Sequence, residues 1–385
     1  MKTKVVILGG GMIGSAMAMD LVRGGRFDVT VADVCEETLG KIASRCGVAT
    51  VRVDLGDARA VTELAQGYGL VLGALPSVIG LQSLRAVIEA GRPYVDISFM
   101  PENALELDGL ARERGVTAVV DCGVAPGVSN MMAGYAAAAL DSCERVEIYV
   151  GGLPQQRRWP FYYKAGFAPH DVIEEYVRPS RVVENGRIVV KEALSEPELM
   201  DFPELGTLEA FNTDGLRSLA YTLKAPFMKE KTLRYPGHVQ LMRAFRETGL
   251  FSKEPVLVAG KEIRPLDATA ALLFPKWTFE EGEADLTVMR VMVEGRRGDF
   301  HVRYTWDLLD RFDPATGLRS MSRTTAFPAT IVAELVEGGA FASPGVNPPE
   351  RIGERDGLLD RVLRELEKRG VKTRFQEERR RESAA

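Results

Sequence analysis

Three glycines near the start of the chain have the spacing that lets a backbone meet a dinucleotide. They are Gly9, Gly11 and Gly14, in the order Gly-x-Gly-x-x-Gly, with Met12 and Ile13 inside the motif. An apolar run at 4–8 precedes them and a helical pattern at 12–23 follows. Gly9 permits a tight turn, Gly11 leaves room for a pyrophosphate, and Gly14 lets the helix lie close to a sheet. The helix start then offers unpaired amides and the positive end of its dipole to phosphate. Asp33 closes the next β-branched run, about twenty residues on, where a carboxylate accepts hydrogen bonds from both ribose hydroxyls and repels a 2′-phosphate. Val34, Cys35, Glu36 and Glu37 follow without a basic side chain, so the expected cofactor is NAD. Asp54, at the end of the third run, is expected near the adenine or else in a turn.

More chemistry-bearing residues stand at the ends of the later runs. In an open parallel sheet, ligands bind beyond the carboxyl ends of the strands. That rule singles out Leu75-Pro76, Asp96 and Asp121-Cys122, where a nicotinamide would lie. Asp96 and Asp121 are the candidate catalytic carboxylates, with Asp96 equally suited to a turn or a helix cap. Gly123, Pro126 and Gly127 shape a loop into the helical pattern at 128–140, a second junction that presents backbone amides. Cys122 can line such a site, but no adjacent base activates it as a nucleophile.

The elements that must position these residues are legible as an alternation. Runs at 4–8, 28–33, 50–54, 70–75, 94–98 and 117–122 read as strands, and helical patterns separate them at 12–23, 36–44, 58–66, 78–90 and 102–114. Parallel strands need crossovers, so this alternation predicts an α/β fold, a Rossmann-type doubly wound parallel sheet, over residues 1–122. After residue 144 the alternation fails. The run at 145–150 reads as a strand, and those at 187–191, 284–294 and 300–308 alternate as half-buried antiparallel strands do. A second, mixed α+β domain is therefore expected at 123–320. Residues 321–370, with an apolar helix at 325–336 and an amphipathic one at 357–369, are expected to return to the first domain, and 371–385 to form a flexible tail.

Composition narrows the partners. The chain has 385 residues, a net charge of −5 and 45% hydrophobic residues, an ordinary globular composition that gives no reason to expect nucleic acid. No apolar run approaches the ~18 residues that span a bilayer, and no targeting segment is evident, so no membrane partner is expected. Four cysteines without a CxxC pair, and three histidines, argue against a metal site and for a reducing, cytoplasmic compartment.

Seven blocks together carry a more specific likeness: 9–14, 98–103 (SFMPEN), 121–127 (DCGVAPG), 149–154 (YVGGLP), 213–218 (TDGLRS), 232–238 (TLRYPGH) and 347–350 (NPPE). The chain resembles the saccharopine dehydrogenase-like family, and within it the L-lysine 6-dehydrogenases. The resemblance implies NAD-dependent oxidative deamination at the ε-carbon of lysine, giving ammonia and 2-aminoadipate 6-semialdehyde, which cyclises to piperideine-6-carboxylate. It also implies that the second domain, 123–320, binds the substrate and assembles a homodimer. Glutamate-forming relatives carry an Asn-Arg-Asp-type block where this chain has 213–218, which favours the lysine enzymes. A saccharopine dehydrogenase, a related condensing dehydrogenase acting on a secondary amine, and a non-catalytic NAD-binding protein are the alternatives.

Amine oxidation needs a group that takes protons near the working pH, and Asp121 or Asp96 fits, although either can instead hold the substrate ammonium. His238 can orient substrate, act as a base, or be a structural histidine after a Tyr-Pro-Gly turn. An amino-acid substrate needs its α-carboxylate clamped, which suits a guanidinium, and Arg217 and Arg234 are the candidates. Tyr163 belongs to an aromatic cluster that either walls the pocket or packs the core.

Overall fold

Why the first sheet is parallel shows in the burial of its central strand, where Val5, Val6, Ile7 and Leu8 are all inaccessible to solvent. A strand covered on both faces must be apolar throughout, as in a sheet sandwiched by crossover helices. The computed structural model describes residues 2–165 and 169–381. The chain divides into two compact units, Met1–Tyr135 with Ser322–Lys372, and Ala136–Met321 with the stretch from Thr373 onward.

In the first unit, strands β1 (Thr3–Leu8), β2 (Phe27–Asp33), β3 (Ala49–Arg52), β4 (Leu70–Gly73), β5 (Tyr94–Asp96) and β6 (Thr117–Val119) follow the expected order. A seventh strand, Gly345–Asn347, joins β6. The order across the sheet is Gly345–Asn347, β6, β5, β4, β1, β2, β3, every pair parallel. Helices α1 (Met12–Gly24), α2 (Glu36–Cys46), α3 (Ala58–Gln66) and α4 (Ser77–Glu89) make the crossovers. Three residues before two prolines carry no periodicity, so the seventh strand is not legible in advance. What fixes it is Asp108, whose Oδ1 accepts the Val346 N–H at 2.9 Å. The expected helix at 102–114 becomes a 3-10 turn, Ala104–Leu107, and a short α5 (Asp108–Glu113), with Asn103 accepting the Leu105 N–H as a cap.

The helix expected at 128–140 is α6 (Val128–Ala139). Most of it belongs to the first unit, whereas the expected boundary lay at 122/123. Its small residues explain this. A Cβ on Gly134 would stand 2.4 Å from the Glu350 carbonyl, and one on Gly353 would stand 1.9 Å from that of Met131, so α6 and the 350–353 turn meet backbone to backbone.

The second unit is a mixed sheet in the order Glu198–Phe202, Gly206–Asn212, Phe227–Arg234, Ser142–Pro154, Asp285–Arg297, Phe300–Arg311, Thr373–Arg381. Only the Phe227–Arg234 and Ser142–Pro154 pair is parallel along this path. A hairpin of Ser180–Glu184 and Arg187–Lys191 attaches to Phe227–Arg234. Two readings are corrected here. The strand expected at 145–150 does not stop there but runs on to Pro154 through Gly151 and Gly152, where a Cβ would meet the Leu233 carbonyl at 2.5 Å or the Met321 Cε at 2.1 Å. Nor is the segment after residue 371 a loose tail as far as Arg381. Thr373–Arg381 pairs antiparallel with Phe300–Arg311, and Phe375 packs on Trp306 with ring centroids 4.9 Å apart. Its charged alternation is that of an edge strand rather than a frayed end.

Candidate active site

The glycine motif performs three separate jobs. Gly9 has φ of 97°, and a Cβ there would lie 2.4 Å from the Ala74 carbonyl oxygen. Gly14 brings α1 so close that a Cβ would lie 1.9 Å from the Gly9 carbonyl oxygen. Gly11 is different: it precedes α1 with an ordinary negative φ, and a Cβ would meet nothing within 4 Å. No packing in the protein demands glycine at this position, and the open space before an α1 start without a side-chain cap fits a phosphate. Met12 is exposed and Ile13 half-buried at the same edge.

Asp33 secures this turn. Its Oδ2 accepts the Gly10 N–H at 2.7 Å and its Oδ1 accepts the Cys35 N–H at 2.8 Å. A carboxylate has about four acceptor sites, so both oxygens keep capacity for ribose hydroxyls. Asp54 is exposed and accepts the Gly56 N–H at 2.9 Å, which is the turn alternative. Leu75 is buried, and Pro76 stands immediately before α4, which like α1 begins without a side-chain cap.

Two carboxylates, Asp96 ending β5 and Asp121 two residues past β6, act on one another by charge. Asp96 is fully buried, and its Oδ1 accepts hydrogen bonds from the Ser98 hydroxyl at 2.8 Å and the Tyr94 hydroxyl at 3.2 Å. Its Oδ2 is buried with no hydrogen-bond partner among the described residues. Burial pushes the carboxyl up to about 7 and the Asp121 charge adds to this, against the pull of the two hydroxyls. Gly73 makes the arrangement possible, since a Cβ there would fall 2.0 Å from the Tyr94 hydroxyl and 2.2 Å from Asp96 Oδ1. Asp121 is buried with a left-handed φ of 52°, and the next residue, Cys122, donates its backbone N–H to the Asp96 carbonyl at 2.8 Å. Burial raises the Cys122 thiol far above its ordinary range, which makes it an inert wall. Asn130 closes the loop by accepting the Gly127 N–H and the Ser129 hydroxyl, while its buried amide nitrogen has no partner among the described residues. Sequence reasoning passed over Tyr94 and Ser98. The period-2 spacing of Tyr94 and Asp96 along β5 was the signal available.

The candidates of the second unit form a different kind of cluster. Arg234 is 2% exposed, pairs with Glu175, donates to the Leu233 carbonyl at 3.0 Å, and lies 4.5 Å above the Tyr163 ring. Tyr163 in turn packs on His238 with centroids 5.0 Å apart. His238 is fully buried, with Nδ1 2.7 Å from the Phe161 carbonyl and Nε2 2.9 Å from the Tyr176 hydroxyl. A carbonyl can only accept, so Nδ1 carries the proton and Nε2 accepts from Tyr176. Burial, and then the Arg234 charge, push His238 down to about 3. Neutral and committed at both nitrogens, His238 is a structural residue and not the base of a reaction at neutral pH.

Arg217 is buried with a left-handed φ of 52°, in a block folded around two acids. Arg181 clasps the Asp214 carboxylate through Nε at 2.8 Å and Nη2 at 2.6 Å. Glu230 accepts the Thr213 hydroxyl at 2.6 Å and the Gly215 N–H at 3.1 Å, and burial pushes it up to about 8. Tyr163, Arg234 and His238 are thus brought together, with the Arg234 guanidinium already engaged by Glu175. Among the described residues no group of three metal-ligating side chains occurs, and no helix is long and apolar enough to cross a membrane.

A parallel sheet whose first crossover carries this glycine turn, with an acid closing the second strand, defines a dinucleotide-binding protein of the Rossmann class. The family model described as the saccharopine dehydrogenase NADP binding domain matches residues 5–119, and that described as the saccharopine dehydrogenase C-terminal domain matches 123–371. The chain belongs to the saccharopine dehydrogenase family, and its cofactor is a nicotinamide dinucleotide. It is 27% identical over 285 residues to the mitochondrial α-aminoadipic semialdehyde synthase of Rattus norvegicus, an alignment covering 69% of this chain and 30% of that one. Across three mammalian synthases of this kind the matched part is about a third to a half of their length, 30% to 47%. To the saccharopine dehydrogenase [NADP(+), L-glutamate-forming] of Pyricularia oryzae it is 22% identical over 93% of this chain and 96% of that one. The solved apo saccharopine dehydrogenase (L-Glu forming) of Saccharomyces cerevisiae shares the fold, with a TM-score of 0.80 at 17% identity over 98% of this chain and 100% of that one.

Proposed function

We propose that the chain oxidises the ε-amino group of L-lysine with NAD. The conversion balances as lysine ε-ammonium, NAD+ and water giving 2-aminoadipate 6-semialdehyde, ammonium, NADH and one proton. The aldehyde then condenses with its own α-amino group, losing water, to give piperideine-6-carboxylate. The observation that carries this reading is Asp96, a fully buried carboxyl pushed up to about 7, with one oxygen unpartnered among the described residues and the Asp121 charge acting on it. An ammonium must lose a proton before its carbon can lose hydride, and water must lose one to add to the imine. A carboxyl titrating near pH 7 serves both steps. NAD+, when bound, supplies the hydride acceptor. Asp121 holds the ammonium by charge. The Asp33 carboxylate supports NAD over NADP, because a 2′-phosphate would meet a like charge.

A second reading has its own support. Saccharopine dehydrogenase of Pyricularia oryzae and carboxyaminopropylagmatine dehydrogenase of Synechocystis are both similar over most of this chain, 93% and 89%. The chain would then act on a secondary amine. The 213–218 block favours lysine over that alternative. NAD reduction with lysine, saccharopine and polyamines, alongside ammonia release, separates the readings: ammonia from lysine alone supports the first, turnover of saccharopine alone supports the second, and cofactor binding without any turnover refutes both. We also propose a homodimer, which sedimentation measures directly.

A further inference from the structure

The parallel pairing of β2 and β3 sets Asp33 opposite Arg52, each the last residue of its strand. Paired residues of a parallel ladder send their side chains to the same face. The Val53 N–H donates to the Asp33 carbonyl at 3.0 Å, which locks this end of the ladder and the position from which Arg52 projects. The Arg52 guanidinium reaches Glu36, the first residue of α2, with Nη1 3.5 Å from Oε2. Both side chains stay in solvent, 67% and 83% exposed. The neighbouring acid, Glu37, is occupied with Lys41 at 2.7 Å. An exposed ion pair at this distance contributes little, about 0–1 kcal/mol, so Arg52 is only lightly held.

A guanidinium beside the ribose-binding acid is the group that recognises a phosphate through two parallel hydrogen bonds. We infer that Arg52 is a specificity-determining residue for the cofactor, a latent 2′-phosphate binder that Glu36 keeps occupied while Asp33 repels the phosphate. The absence of a basic residue directly after Asp33 hides it from a linear reading, since the cation comes from the neighbouring strand. This inference rests on the reading that the adenosine ribose lies at Asp33. It adds that the NADP deficit is set by Glu36 as well as by Asp33, and is reversible at a residue that touches no catalytic group.

The test is equilibrium binding of NADH and NADPH, followed by reduced-nicotinamide fluorescence without any amine substrate. The proteins compared are the wild type, Glu36→Gln, Arg52→Gln and the double variant, each checked for an unchanged thermal unfolding midpoint. Glu36→Gln is expected to tighten NADPH up to about fivefold, the most that releasing an ion pair of about 1 kcal/mol can give, with NADH held within about twofold. Adding Arg52→Gln is expected to abolish that gain. A gain that survives in the double variant, or NADPH binding unmoved by Glu36→Gln, overturns the role of Arg52 while leaving the NAD reading intact. A wild type that binds NADPH more tightly than NADH refutes the NAD reading instead; Arg52 is then still judged by whether Arg52→Gln weakens NADPH selectively.

Discussion

Replacing Asp96 by asparagine separates a buried neutral acid from a buried charge. The native carboxyl sits at about 7 and an ordinary aspartate near 3.8. Between these values the native state keeps a proton that the unfolded chain has released. Stability from this group is therefore full below pH 3.8 and is lost as pH rises towards 7, by about 1.4 kcal/mol per pH unit. From pH 5 to pH 7 the loss is roughly 2.3 kcal/mol, since the native group is half ionised at the upper end. Asparagine keeps an acceptor for the Ser98 and Tyr94 hydroxyls and never ionises, so the unfolding free energy of Asp96→Asn relative to wild type should improve by about that amount over the same interval. Urea unfolding followed by far-UV circular dichroism measures it. Trp159, Trp277 and Trp306 all lie in the second unit, so tryptophan fluorescence serves as an internal control. Parallel pH dependences for the two proteins, within about 0.5 kcal/mol, would refute the account, because Asp96 would then be ionised throughout and unfit to exchange protons.

The second and third glycines of the motif can be told apart. Gly11→Ala should leave the stability of the free protein within about 0.5 kcal/mol yet weaken cofactor binding at least tenfold, whereas Gly14→Ala should cost about 2 kcal/mol or more in unfolding; calorimetry of both with and without NADH decides it. His238→Gln should flatten the acid limb of second-unit stability. The native histidine refuses a proton down to about pH 3 that the unfolded chain accepts below about 6.5, so wild type loses about 1.4 kcal/mol per pH unit as pH falls, and tryptophan fluorescence showing equal slopes would exclude this. Arg217→Ala should raise the KM for lysine at least about tenfold with a smaller change in kcat, as loss of a charged clamp would; an unchanged KM removes Arg217 from the site.

The first unit was legible because its signals are local. Strand, glycine turn, helix and Asp33 fall within some thirty residues, and each obeys a short-range rule. What escaped depended on residues distant in the chain. Gly345–Asn347 is a strand only because β6 and Asp108 receive it, and Thr373–Arg381 only because Phe300–Arg311 offers an edge. The carboxylates were found at the strand ends, but their electrostatics were not. That Asp96 is neutralised by burial needs Gly73 and Tyr94, which no spacing rule connects. His238 shows the opposite case: its type suggested chemistry, and two hydrogen bonds, one donated to the Phe161 carbonyl and one accepted from Tyr176, take that chemistry away.

The late strand Gly345–Asn347 has a bearing on biosynthesis. Ser343 donates its N–H to the Thr117 hydroxyl oxygen across 226 residues of chain. Translation at about 5–20 residues per second leaves roughly ten to forty-five seconds during which β6 stands at an open sheet border. An uncovered run of backbone donors and acceptors is a template for wrong pairing. β6 is only three residues long, which limits what can pair there while the ribosome works through the second unit. Premature termination anywhere between 120 and 345 would leave that border permanently uncovered. Nascent fragments of such lengths are therefore natural clients for a holding chaperone.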